Sequence, residues 1–357
     1  MKSVKLTLLP LLFISVVQTV WAASVMGAAH TYRQCPTNFS LPIVELSTTF
    51  PKSALSFPRP TGLRQTVSEQ QSLPSGPRSR IGRSKTPDRI PTPASFRVVR
   101  DRGLLVRTWI NGSGPYTFAI DTGAGGTIIS ERLAATLDIS IHSGRPVSLA
   151  GLSGRERHGG HEGFIKTLAL GQAENLLPAN HAVIVSAGLP RDIDGILDPT
   201  EAYSPLGYVI DIPGSEIEAF DCALHPLSTR NPPAEGAVVH WLIRGESRRP
   251  FISLDDGRLA LLDTGSAFGL AVTQNSRAHD GRYERRVQDI GGGSVTSSRA
   301  DEATVSIGAL TLRRVPTDIL SGVEKGTPVL LGRAALYPFR LAFDPLHKLI
   351  AIGPSER

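Results

Sequence analysis

Phe118-Ala119-Ile120-Asp121-Thr122-Gly123 has a second version in Ala260-Leu261-Leu262-Asp263-Thr264-Gly265. In both, an apolar run ends on Asp-Thr-Gly and a few small residues lead into another apolar run. That run is Thr127-Ile128-Ile129-Ser130 after the first and Leu270-Ala271-Val272-Thr273 after the second. Short apolar runs bounded by Gly are strand signals, so each Asp is expected on a tight loop between two strands. Asp-Thr-Gly alone is an ordinary turn sequence. Two copies in the same setting, one domain length apart, point instead to an internal repeat. Loops of that kind, brought face to face, set two carboxylates side by side.

These two loops resemble the active-site loops of aspartic proteases of the pepsin and retropepsin families. Asn111-Gly112-Ser113-Gly114-Pro115-Tyr116 resembles the hairpin that leads into the catalytic strand of bacterial retropepsin-like proteins. Val329-Leu330-Leu331-Gly332 resembles the apolar-apolar-Gly strand that closes each lobe behind its catalytic loop. The resemblance covers roughly residues 97–355. It implies an all-β chain with few short helices, folded as two similar acid-protease-like β-barrel lobes. It also implies Asp121 and Asp263 as a catalytic pair, with no metal and no cofactor. In that family the hydroxyls at the positions of Thr122 and Thr264 hydrogen-bond across the lobe junction. Gly123 and Gly265 let each loop turn sharply and approach the other without a Cβ in the way.

The chemistry follows from the pairing. Two carboxylates within hydrogen-bond range do not both ionise readily near neutrality, so the pair holds one proton between them, as aspartic proteases do. The charged member takes a proton from water, and the neutral one hydrogen-bonds the scissile carbonyl and later serves the leaving nitrogen. The residue after each Gly differs, Ala124 in one copy and Ser266 in the other. A hydroxyl donated by Ser266 favours the charged form of its neighbour, so Asp263 is expected to hold the charge more often. Gly-rich tips at Gly151–Gly154 and Gly291–Gly293 resemble flaps, with Gly151, Leu152, Gly291 and Gly292 as candidate substrate contacts. Surface hairpins without a lid role fit the same residues. One departure stands out: the first unit reads Gly195-Ile196-Leu197-Asp198, where the family pattern ends on Gly.

The N-terminus reads as a secretory signal over residues 1–22. Lys2 and Lys5 precede an apolar stretch from Leu6 to Val20, and Val20-Trp21-Ala22 fits a small-residue cleavage pattern. The stretch is short for a bilayer span, so export to a periplasm or the outside is expected, without a stable membrane anchor. The two cysteines, Cys35 and Cys222, are then either paired or free.

Residues 51–95 hold eight Pro, eight Ser and eight Lys or Arg against two acids, with no helical or strand period. Residues 23–95 are therefore read as a disordered leader or linker; a basic pro-segment lying over an acidic cleft is the alternative. The formal charge of +6 comes from this end. Residues 1–100 carry 13 basic and 3 acidic side chains, and the rest of the chain 25 and 29. The globular part is slightly acidic, and the leader has Phe57 as its one aromatic over 51–95, so nucleic-acid binding is not expected.

From Phe96 the composition is globular and long enough for two cores, read as lobes over 96–225 and 226–357. Strands are expected at Leu104–Ile110, Tyr116–Ile120, around Phe164–Leu170 and at His181–Val185. A short helix capped by Ser130 follows the first loop. A hairpin at Tyr208–Ile212 and Glu216–Phe220 closes the first unit. In the second, Arg258–Leu262, Ala303–Ile307 and Leu310–Arg314 are the expected strands. The last hairpin is Phe339–Phe343 with Leu349–Ile352. His158, His161 and Glu162 lie in a Gly-rich loop and make no metal-ligand pattern. A Gly-x-Ser-x-Gly elbow and a phosphate-binding loop are absent from the sequence. Asn38-Phe39-Ser40 and Asn111-Gly112-Ser113 match glycosylation acceptors. The expected activity is an exported aspartic endopeptidase acting on extended polypeptide, monomeric with its lobes paired within one chain; pairing between chains predicts a dimer. The alternative is a non-catalytic exported β-protein that binds peptide or cell-wall ligand in the same cleft.

Overall fold

The computed structural model describes residues 44–46 and 89–355, except 155, 179–181, 246, 274–283 and 290–292. The signal segment, most of the leader, Cys35, Asn38 and the tip residues Gly291 and Gly292 lie outside the described residues. What is described is mostly strand with three short helices, the all-β class read from the sequence.

Each half repeats one strand order. In the first, strand Gly103–Ile110 pairs with Ser113–Ile120, the strand that delivers Asp121. Strand Gly195–Leu197 lies beside it in parallel, Leu197 opposite Ile120, and pairs on its other side with Ile128–Ser130. Ala182–Ser186 follows in parallel, then the hairpin of Glu156–Phe164 and Ile141–Ala150. In the second half the same places are taken in turn by Ser247–Ser253, Leu259–Asp263, Val329–Gly332 and Leu270–Thr273. Leu310–Ser321 then runs parallel to Leu270–Thr273, and Ser294–Ile307 and Glu284–Gln288 complete the series. The repeat seen in two Asp-Thr-Gly triplets thus extends through seven strands per half.

The halves are joined by an antiparallel ladder with three strands from each. Its order is Ala237–His240, Leu349–Pro354, Phe339–Asp344, Gly207–Asp211, Glu216–Phe220 and Ala94–Val99. At its centre Tyr208 lies opposite Phe343, with the rings stacked 4.6 Å apart. The strands at its middle, Leu349–Pro354, Phe339–Asp344 and Gly207–Asp211, read as mainly apolar runs because both faces are covered. Gly207–Asp211 is buried throughout and Leu349–Pro354 nearly so.

Local signals account for the helix and turn positions. Ser130 accepts the Leu133 N–H at 3.1 Å and caps helix Glu131–Thr136. Asn111 and Gly112 both have positive φ, as a two-residue hairpin turn between twisted strands requires. The expected strand around Phe164–Leu170 is two pieces, ending at Phe164 and restarting at Leu168. The expected short strands at Ala303–Ile307 and Leu310–Arg314 are the inner ends of a long hairpin, Ser294–Ile307 with Leu310–Ser321. Its outer part is polar by sequence but is held by Ser297 and Arg299 against the buried Asp318. Within the stretch read as a leader, Val44–Leu46 is a strand, antiparallel to Leu310–Leu312. Cys222 is buried and its thiol is pushed up to about 12, by burial and then by the nearby Asp344. Among the described residues no helix is long and apolar enough to cross a membrane.

Candidate active site

Asp121 and Asp263 meet at the junction of the halves. Each stands at the C-terminal end of its strand, and its loop is held from behind by the closing strand. Asp121 N–H donates to Leu197 O at 2.9 Å, and Asp263 lies in register with Gly332. The two carboxyls hydrogen-bond each other.

The glycines show how close the approach is. A Cβ at Gly123 would lie 2.8 Å from Asp263 Cγ, 2.9 Å from its Oδ1 and 3.2 Å from Asp121 Oδ1. A Cβ at Gly265 would overlap the Asp121 carboxyl. Each glycine therefore faces the other loop's acid, and only a residue without a side chain fits there.

Two buried threonines tie the loops together with four crossed bonds. Thr122 N–H donates to Thr264 Oγ1 at 3.1 Å, and Thr264 N–H to Thr122 Oγ1 at 3.0 Å. The Thr122 hydroxyl donates to Leu262 O at 2.7 Å, and the Thr264 hydroxyl to Ile120 O at 3.2 Å. The β-branched side chains are fully enclosed, so the packing role and the hydrogen-bonding role hold together.

Desolvation pushes both carboxyls up from the ordinary range, because an ion crowded into this half-buried junction loses part of its hydration. For Asp263 the charge on Asp121 adds to the rise; for Asp121 the Gly123 N–H at 2.8 Å opposes it. The sequence expectation that a Ser266 hydroxyl would favour a charged Asp263 is not met. Ser266 gives its backbone N–H to Asp263 Oδ1 at 3.0 Å, while its hydroxyl accepts the Phe268 N–H at 3.3 Å. A backbone donor serves each acid, so Ala124 and Ser266 do not distinguish the two.

Sequence reading missed the two arginines here. Arg333, buried at the start of helix Arg333–Leu336, donates to Thr264 O at 2.7 Å and Gly265 O at 2.8 Å. It fixes the second loop from its own half. Arg249, on strand Ser247–Ser253, reaches from the second half to Ala124 O in the first loop at 3.2 Å. Arg333 had a readable signal in its place directly after Leu330-Leu331-Gly332; Arg249 had none.

Asp198 occupies the position that Gly332 holds in the second half. It is buried, and its side chain caps helix Pro199–Ala202 by accepting the Thr200 N–H at 2.9 Å. Burial, and next the charge of Glu201, push it up to about 7. The neutral form meets the cost of a carboxyl in this place. A side chain at Gly332 is excluded because its Cβ would lie 2.5 Å from Phe268 O.

The hairpin tip with Gly151 and Leu152 crosses to the second half. Ser153 N–H donates to Asp289 Oδ2 at 2.9 Å, Gly293 N–H donates to Asp289 Oδ1 at 2.9 Å, and Glu324 N–H donates to Leu152 O at 3.1 Å. Leu152 packs on the second half's cluster of Phe251, Phe268, Val295 and Leu330.

Residues 106–197 match the family model described as aspartyl protease. The match runs from strand Gly103–Ile110 to the end of the closing strand behind Asp121, and the model it is similar to is an aspartyl protease family of the pepsin- and retropepsin-like clan. The family supports protease function in general terms. Among curated proteins the chain has no match. The second lobe repeats the strand order of the matched one and supplies the other acid.

Proposed function

We propose that the chain is an exported aspartic endopeptidase in which Asp121 and Asp263 activate one water between them. The observation that carries this reading is the contact of the two carboxyls under the crossed threonine bonds. A half-buried pair that shares one proton offers a base and an acid to the same carbonyl. One carboxylate takes the proton of the attacking water as its oxygen bonds the carbonyl carbon. The protonated partner donates to the carbonyl oxygen. Collapse of the tetrahedral oxyanion re-forms the carbonyl and breaks the C–N bond as that protonated partner passes its proton to the leaving nitrogen; the pair again holds one proton, now the one taken from the water. Neither a metal nor a covalent acyl-enzyme enters this scheme. An extended polypeptide would lie between the dyad and the Gly151–Gly154 tip. The reading of 1–22 as a secretory signal supports export, with release of the chain after Ala22.

The test is cleavage of unfolded protein by the purified chain, with and without a pepstatin-type inhibitor. Inhibitor-sensitive cleavage supports the proposal. Binding of the inhibitor without cleavage at any pH identifies the non-catalytic alternative instead. N-terminal sequencing of the chain recovered from its native host checks export; an intact Met1 would contradict it.

A further inference from the structure

The two lobes share a strand order but differ on the face from which the second acid projects. Leu261 and Asp263 point to the same face of strand Leu259–Asp263, and Leu261 packs there with Phe268, Val295 and Leu320. Leu152 of the first-lobe tip packs on the same cluster, so this face lines the space between the dyad and the tip. A short chain of contacts leads outward along it. Ser266 N–H donates to Asp263 Oδ1 at 3.0 Å, and Phe268 N–H donates to Ser266 Oγ at 3.3 Å. Arg285 Cζ then lies over the Phe268 ring, 5.2 Å from its centre.

Behind Arg285 the charges do not balance. Asp318 is buried, and the Ser297 hydroxyl donates to its Oδ1 at 2.8 Å. Two half-exposed guanidiniums approach it, Arg285 Nη2 at 3.7 Å from Oδ1 and Arg299 Nη1 at 3.4 Å from Oδ2. Among the described residues Asp318 is the one carboxylate within ion-pair distance of either arginine, so one cation is left over. The hydrogen bond of Arg285 among these residues is a long one, Nε–H to Ser297 Oγ at 3.4 Å, and its Nη groups have no acceptor there. In the first lobe Val185, opposite Ile129, stands where Asp318 stands opposite Ala271, and Gly126 stands where Phe268 does. The fold therefore does not require this charge.

We propose that Arg285 is a specificity-determining residue: its guanidinium, held over Phe268, pairs with an acidic side chain of the bound polypeptide, so the chain prefers substrates carrying Asp or Glu near the scissile bond. This deepens the protease reading and rests on it for its consequence in turnover. The Phe268 ring covers one face of the guanidinium and fixes its plane. The planar fork of N–H donors matches a carboxylate in a way that an ammonium does not. Asp318 holds Arg285 from behind but is shared with Arg299, so it does not cancel the charge offered to the ligand. A substrate lysine at the same place meets an uncancelled cation, so the discrimination works by repulsion as well as by attraction.

The experiment walks a single glutamate along an otherwise uncharged peptide, with glutamine at the same position as the neutral control. It is run above the ordinary glutamate value of about 4.3, so that the peptide carboxyl is ionised. At one position wild type should show kcat/KM about fivefold higher for glutamate than for glutamine, mostly through KM. Arg285→Gln should bring that ratio to about one, and Arg285→Lys, which keeps the charge, should retain part of it. Added salt should shrink the ratio in wild type, a readout that needs no variant. Equal cleavage of the two peptides at every position, or a wild-type ratio kept by Arg285→Gln, would overturn the inference and leave the protease reading intact. Fluorescence anisotropy of the same peptides measures the charge preference without turnover. Tighter binding of the glutamate peptide that Arg285→Gln abolishes, with no cleavage of any peptide, would refute the protease reading and leave the acidic-ligand site standing. Equal binding of the glutamate and glutamine peptides would overturn the site itself.

Discussion

Thr122→Val is the most informative perturbation of the lobe junction, because Val keeps the shape of Thr and removes only the hydroxyl. That hydroxyl makes two bonds, donating to Leu262 O at 2.7 Å and accepting Thr264 N–H at 3.0 Å. Both former partners stay buried after the substitution. A buried group left without its partner costs about 1–3 kcal/mol, so the pair costs about 2–6 kcal/mol; the Leu262 carbonyl, with a second lone pair, falls at the lower end. Against a total stability of about 5–15 kcal/mol this is a large fraction. Urea unfolding measures it directly, with a lowered midpoint and an unchanged slope. The dyad depends on the same bonds for its alignment, so kcat should fall by roughly tenfold or more. Thr122→Ser, which keeps the hydroxyl, should recover most of both losses. In the double variant with Thr264→Val the costs should sum to less than the two singles, because a parted junction lets water reach the orphaned groups. A Thr122→Val protein within about 0.5 kcal/mol of wild type and with unchanged kcat would refute the role given to the crossed bonds.

Three further outcomes follow. Gly265→Ala places a Cβ within the Asp121 carboxyl, and the loop must shift, so activity should fall by roughly 100-fold or more; a fully active Gly265→Ala enzyme would contradict the close approach. Asp289→Ala removes the acceptor of two N–H groups, Ser153 and Gly293, and amide exchange at residues 151–154 should quicken while the rest of the lobe is unchanged; equal protection in both proteins would show that Asp289 does not hold the tip. Asp198 is pushed up from 3.8 to about 7, so the folded state holds a proton that the unfolded chain has lost across that window, and stability falls as pH rises through it. Asp198→Asn keeps a cap for the Thr200 N–H and should flatten that part of the stability–pH curve; a curve with the wild-type slope would mean that Asp198 is not the source.

The parts legible in the sequence were those with short-range causes. The two Asp loops, the closing strands Gly195–Leu197 and Val329–Gly332, the Ser130 cap and the terminal hairpin all carry local apolar runs or turn residues. Strand Ser247–Ser253 was not legible, because Ser-Arg-Arg-Pro reads as a loop until its charges find partners elsewhere in the fold. The long hairpin Ser294–Ile307 with Leu310–Ser321 was read too short for the same reason. Its polar residues are paid for by contacts across strands, such as Arg299 with Asp318 at 3.4 Å. At the site, the acids and threonines could be named from the repeated triplet. Arg249 and Asp289 act across the lobe junction, and nothing near them in sequence marks that. Asp198 was visible as a departure from the pattern, but its tolerance depends on burial and on the Thr200 N–H. Ser266 shows the opposite error: a side chain was credited with a bond that the backbone makes.

The central claim is that Asp121 and Asp263 act as one unit on a peptide bond. Peptide hydrolysis by wild type, Asp121→Asn and Asp263→Asn, each confirmed as folded and assayed from acid to neutral pH, tests it most directly. The account predicts cleavage by wild type and its loss in both variants, each to a similar residual level because a half-dyad lacks either the base or the acid. Cleavage that survives in either variant would contradict it.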